Sequence, residues 1–324
     1  MKIKMFVSVL LTIIIINGVV LNSYAQSGLD YSKIPAISDV LSLFNVKVDL
    51  ERSLYLKDAD RADRYIYIPL IETGYIIYDI QLEEVIEFSV ETANSYIESA
   101  RGDELYYTGP LSYYKIIDGT VISLKDHSQM GTIEVLKEIE GMMIFDKQKS
   151  VSQTASIKVT PRSIEYIRGT VPNYSYNPDG ICGATAAAML LKWRDNYMDS
   201  RYVPASLTSG DGELLIRHLA NNYIPKKSGS VNVVNGIYDY VRTQGISYLP
   251  SREVANITSI VTAVSGQGVP YILGITGHPQ YKEHWVTGYG YSQPSSNTIF
   301  AIVNDGWGST GIQITMSYTD WAIY

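Results

Sequence analysis

Cys182 is the single cysteine of a 324-residue chain, and it lies in the run GICGATAAAMLLKW. One thiol cannot close an intramolecular disulfide, and exported chains that use cysteine structurally carry an even number. A thiol kept alone points instead to nucleophilic attack, which needs the thiolate. Gly180 and Gly183 flank it at a turn into an alanine-rich helix. A helix N-terminus favours a thiolate through its partial positive charge and free N–H groups. Asp179 acts weakly the other way. Such a thiol needs a histidine to share its proton, and a third polar group to fix the imidazole tautomer. His284, in EHWVTGYGY, opens a strongly alternating strand. Asn304 and Asp305, in IFAIVNDGWGS, lie where the neighbouring strand ends. The order is Cys, His, Asx, with sequence separations of 102 from Cys182 to His284 and 21 from His284 to Asp305. Taken singly, each piece has an ordinary reading: a core thiol, a structural strand histidine, a polar turn before Gly-Trp-Gly. In this order and setting they read as one constellation.

These residues resemble the papain-like cysteine peptidases, in particular the bacteriocin-processing branch, cysteine peptidase family thirty-nine. GICGATAAAMLLKW looks like that family's nucleophile helix, with Ala184 where proline is common. HWVTGYGY resembles its histidine strand. NDGWGS resembles the segment carrying the third residue, two positions before an aromatic and then glycine, which selects Asp305 with Asn304 as the fallback. The resemblance covers about residues 165–324. It implies Cys182 as nucleophile, His284 as its partner, Asp305 behind the histidine and Trp307 shielding that contact from water. It implies no metal or organic cofactor and a peptide or protein substrate. The family places a glutamine about six residues before the nucleophile. Tyr176 stands there, so Asn177, with Asn173 behind it, is the available amide donor for an oxyanion beside the Cys182 N–H. That departure keeps two alternatives in view: a catalytically silent binding protein on the same fold, and a cell-wall amidase or transferase of related geometry.

The elements that must position these groups follow from periodicity. Cys182, Ala186, Leu190, Trp193 and Tyr197 form one stripe at helical spacing, which predicts a buried helix over about 182–197. GELLIRHLANNY and VNGIYDYVRTQG read as further helices. PYILGI, HWVTGYGY, TIFAIVND and GIQITMSY read as strands. Helices first and strands afterwards predict an α+β domain; the resemblance implies a papain-like one, with a helical first part and an antiparallel sheet. Upstream, Ile37, Val40, Leu41 and Phe44 share a helical spacing. RYIYIPLI, GYIIYDIQ, EVIEFSVE, ELYYTG and LSYYKII predict a smaller β-rich domain, and EVLKEIEGMMIF (134–145) fits a helix or a strand. The 27 tyrosines read mainly as half-buried strand residues.

Composition bounds the rest. Residues 1–25 read as a signal peptide: Lys2 and Lys4, an apolar stretch to Val20, then Ser23-Tyr24-Ala25 before cleavage. The expected domains are 26–146, a pro-region or accessory domain that packs on the peptidase domain; a serine- and threonine-rich linker at 147–163; and the peptidase domain at 164–324. The localisation expected is secreted, or at the cell surface, with no stable membrane insertion after signal removal. The net charge of −7, more negative without the two leader lysines, argues against nucleic acid as a partner. No CxxC, HExxH or EF-hand pattern marks a metal site.

Overall fold

A computed structural model of the protein describes residues 30–150, 162–178, 180–278, 282–296 and 298–324. The expected leader at 1–25, Asp179 and residues 151–161 of the expected linker lie outside the described residues. The chain first forms α1 (Pro35–Phe44), β1 (Leu54–Lys57), β2 (Asp63–Pro69), β3 (Tyr75–Asp79), β4 (Glu84–Ser89) and α2 (Ser95–Ser99). Then come β5 (Leu105–Gly109), β6 (Ser112–Ile117), β7 (Thr120–Ser123), β8 (Gln129–Gly131) and α3 (Ile133–Ser150). The second half holds β9 (Ser163–Tyr166), α4 (Cys182–Tyr197), α5 (Glu213–Asn222), α6 (Ser230–Thr243), β10 (Arg252–Val254) and α7 (Ile257–Val261). It ends with β11 (Tyr271–His278), β12 (Lys282–Ser295), β13 (Thr298–Asn304), β14 (Ile312–Thr315) and β15 (Thr319–Ile323).

The fold is mixed α/β around one large sheet. Its strand order is β10-β15-β11-β12-β13-β14-β4-β3-β2-β1-β5-β6-β7-β8, with β9 added against β12. The expected upstream strands are β2 to β6, and the expected downstream ones are β11 to β14. Their antiparallel join is β4 on β14, in the register Glu87↔Ile314, Phe88↔Gln313, Ser89↔Ile312. The sheet therefore continues from one half of the chain into the other. Phe88 meets Phe300 edge to face beside that join, with ring centroids 4.9 Å apart. Two linker expectations change. Residues 147–150 complete α3, since nothing in KQKS breaks a helix, and Ser163 opens β9, which gains a hydrogen-bonded partner in β12.

The tyrosine expectation is corrected as well. Tyr65, Tyr67, Tyr75, Tyr106, Tyr107, Tyr113 and Tyr114 are buried in the core between the upstream strands and α3, not half-buried. Phenols enter a core when their O–H groups find acceptors. For three of them the acceptor is Glu87 on β4, itself fully buried, which takes the O–H groups of Tyr75, Tyr107 and Tyr113 and the backbone N–H of Leu111; Tyr67 donates to Glu98 and Tyr106 to Glu104.

Helix α4 is buried nearly all round, from Cys182 to Leu191 and at Trp193 and Arg194, so the expected single stripe is too narrow. Tyr197, the last residue of that stripe, is exposed. The alanines let the sheet approach closely: the Thr287 hydroxyl on β12 donates to the Ala186 carbonyl at 3.1 Å. Gly288 marks another close approach. A Cβ there would stand 2.1 Å from the Tyr271 ring, so Gly288→Ala would separate β12 from β11.

Candidate active site

Three segments converge at the start of α4. The loop 171–178 leads into the helix and is strapped down by it: the Thr185 hydroxyl lies 3.1 Å from the Tyr176 carbonyl and donates to it. Cys182 is the first helical residue and is 4% exposed. Ile181 precedes it as N-cap with no side-chain capping bond, and no acid occupies the first turn. The first-turn N–H groups thus have no capping carboxylate or hydroxyl from Ile181 itself.

Strand β12 brings the histidine. Trp285 and Thr287 turn toward α4. A Cβ at Gly183, next to Cys182, would stand 3.5 Å from the Trp285 ring, and Trp285 donates its indole N–H to the Ser228 carbonyl at 2.7 Å. His284 immediately precedes Trp285 on this strand and is buried. The register of β12 on β13 pairs Thr287 with Asn304, so three residues earlier His284 draws level with the turn after β13. The imidazole stacks on Trp307, with centroids 4.3 Å apart and planes 30° from parallel. Its Nε2 lies 3.2 Å from the main-chain carbonyl of Asp305. A carbonyl only accepts, so Nε2 carries the proton and the tautomer is set.

The contact to Asp305 thus runs through its backbone, whereas the expectation placed the carboxylate behind the histidine. The carboxylate has other work. Oδ1 accepts from Trp307 N at 2.8 Å and Ser309 N at 3.0 Å, which folds residues 305–309 into a tight turn. Oδ2 faces the ammonium of Lys125, 3.5 Å away. Asn304, the fallback, is occupied elsewhere: its amide donates to the Pro172 carbonyl at 3.1 Å, and its oxygen accepts from Thr310 at 2.7 Å. Asn173 donates to the Gly308 carbonyl at 2.6 Å, so it ties loop to turn.

Asn177 is 8% exposed, and its amide nitrogen makes no hydrogen bond among the described residues. A Cβ on Gly306 would stand 3.3 Å from that nitrogen and 3.5 Å from the Thr185 methyl. Gly306 also has φ of +81°, a left-handed backbone that glycine adopts without cost. The turn that holds His284 therefore rests on both the oxyanion candidate and the first turn of the Cys182 helix. Trp307, named in the sequence as a shield for the histidine contact, stacks on the His284 ring.

Lys125 escaped the sequence reading. It follows β7, 180 residues before Asp305 in the chain. Its side chain is 5% exposed and Asp305's is fully buried. The ammonium also lies over the Trp307 ring, 4.2 Å from its centroid, with Tyr96 and Tyr113 at 5.5 and 5.8 Å. Burial pushes the Lys125 pKa down, while the charges of Asp305 and Glu87 hold it up. Among the described residues, no cluster of three or more His, Cys, Asp or Glu is arranged to hold a metal ion. No helix among them is long and apolar enough to cross a membrane.

No protein-family profile matches the sequence, and no curated protein does. Among solved structures, the chain is similar to a fragment of prointerpain A from Prevotella intermedia, at 12% identity and a TM-score of 0.43, covering 86% of this chain and 98% of that one. A likeness of that size fixes neither fold nor activity.

Proposed function

We propose that the chain is an exported, papain-like cysteine hydrolase that cleaves peptide bonds. The observation that carries this reading is the position of Gly306. Its neighbours Asp305 and Trp307 hold His284, and Gly306 itself lies against Asn177 and the first turn of the helix that begins at Cys182. One turn thus links nucleophile helix, histidine and amide donor. With the proton of His284 held on Nε2, Nδ1 is the nitrogen that takes the Cys182 proton. The thiolate attacks the substrate carbonyl carbon, and the oxyanion that forms is held by the Asn177 amide and the Cys182 N–H. The imidazolium returns the proton to the leaving amine as the C–N bond breaks, leaving a thioester on Cys182. Water, losing a proton to His284, then attacks the thioester, and the acid departs with the thiol restored. Asp305 acts on His284 through its carbonyl, and Trp307 covers that contact.

The 4% exposure of Cys182 favours a second reading, a silent binding protein with a closed thiol. A peptide-like epoxide separates the two. The peptidase reading expects mass-spectrometric labelling of Cys182 that disappears in His284→Ala, and cleavage of peptide substrates. Absence of labelling sinks it. Activity on peptidoglycan fragments but not on peptides moves the assignment to a cell-wall amidase.

A further inference from the structure

We infer that Lys125, supplied by the upstream half of the chain, is a positioning residue of the proposed catalytic site, so that the upstream strands belong to the working protein. The inference rests on the peptidase reading above and concerns the same histidine. Asp305 has two jobs that pull on one short turn: its carbonyl accepts from His284, and its carboxylate shapes residues 305–309. That carboxylate is fully buried, and a buried charge requires a partner. Within the described residues its one ion-pair partner is Lys125. The same ammonium lies over the ring of Trp307, the indole on which the histidine stacks. Lys125 therefore grips both residues that hold His284.

The groups facing the ammonium come from several elements: Asp305 and Trp307 from the turn after β13, Tyr96 from α2, Tyr113 from β6 and, through space, Glu87 from β4 and Asp126 beside it. Further contacts lock the same turn to the same half. The Thr92 hydroxyl donates to the Thr310 carbonyl at 3.3 Å, and Gly311 packs on Glu91 so closely that a Cβ would stand 2.5 Å from its carboxylate. An ion pair of 3.5 Å with a nearby indole is a clamp by charge and shape, not a tight hydrogen bond. Removal of its cation leaves the buried Asp305 carboxylate with two backbone N–H donors but no counter-charge, which weakens its hold on the turn.

The test compares Lys125→Met and Lys125→Arg in the full chain. Folding is checked by near-ultraviolet circular dichroism, and the His284 ring is titrated by NMR alongside kcat and KM for a cleaved peptide. Lys125→Met should shift the His284 titration and lower kcat by about tenfold, the equivalent of about one pKa unit, with KM little changed. Lys125→Arg should recover most of both. An unchanged His284 titration in Lys125→Met, or no recovery with arginine, overturns the inference. If wild-type protein cleaves nothing, the peptidase reading has failed, and the NMR titration still decides the role of Lys125. Should Lys125→Met not fold, Tyr96→Leu, which strips one aromatic wall from the ammonium, is read by the same titration with the same two outcomes.

Discussion

Glu87 offers the sharpest stability prediction, because its surroundings define the size and the pH dependence of its effect. Its two oxygens take four donors: Tyr75 and Tyr113 on one, Tyr107 and the Leu111 N–H on the other. In Glu87→Leu all four lose their acceptor inside the core. At roughly 1 kcal/mol or more for each buried donor left unmade, the loss is about 4 kcal/mol or more, a large part of a domain's typical ~5–15 kcal/mol. Glu87→Gln is a different matter. The phenol O–H groups of Tyr75 and Tyr113 can turn to accept from the amide NH2, while the amide oxygen keeps Tyr107 and Leu111. Its cost should be below about 2 kcal/mol. Burial raises the Glu87 pKa above its ordinary 4.5, against the pull of Tyr113, Tyr75, the Leu111 N–H and the Lys125 charge. The folded protein therefore keeps a proton that the unfolded chain releases. That contribution is fully present below pH 4.5 and fades as pH rises through the folded value. Urea unfolding of wild type, Glu87→Gln and Glu87→Leu from about pH 4 to about pH 8 measures all of this. Wild type should lose stability relative to Glu87→Gln as pH rises. Equal costs for the two variants, or an unchanging difference across that range, would refute the reasoning.

Three further outcomes follow from the geometry. Gly306→Ala should cost about 1–2 kcal/mol for its left-handed backbone and also press on Asn177, seen as a lower Tm together with reduced peptide cleavage. Asn177→Ala should lower kcat by about 10²-fold with little change in Tm, if its amide holds the oxyanion; a drop of less than about threefold in purified protein removes it from that role. A protease site inserted within residues 151–161, once cut, should give two fragments that co-elute on size exclusion, because β4 pairs with β14 and Phe88 packs on Phe300. Fragments that separate without denaturant would contradict a shared sheet.

Much of the secondary structure was legible because the patterns are strong. The helical spacing of Ile37, Val40, Leu41 and Phe44 matches α1, and the alternating runs from RYIYIPLI to GIQITMSY match strands of the sheet. The short elements were not. β1, β8, β10 and β15 are three to five residues long and are set by their partners, so their own sequences carry little period. The join of β4 with β14 pairs residues more than two hundred positions apart, and no local signal encodes such a pairing. At the site, Cys182, His284 and Trp307 stood out by residue type and spacing. The work done by Asp305 did not, since sequence cannot distinguish a carboxylate from its own backbone carbonyl as the histidine's acceptor. Lys125 was invisible for the same reason as the sheet join: a lone lysine after a short strand reads as solvated surface until the fold buries it. Glu87 was hidden inside an ordinary strand pattern, although the wealth of tyrosines around it was a clue that buried phenols need an acceptor.

The central claim is that Cys182 is a nucleophile activated by His284. The direct measurement is the alkylation rate of the folded protein by iodoacetamide at neutral pH, set against free cysteine and against His284→Ala. The account predicts that wild type reacts faster than free cysteine by about tenfold or more, and that His284→Ala loses the advantage. A wild-type thiol that reacts no faster than free cysteine, or a rate untouched by His284→Ala, would contradict it.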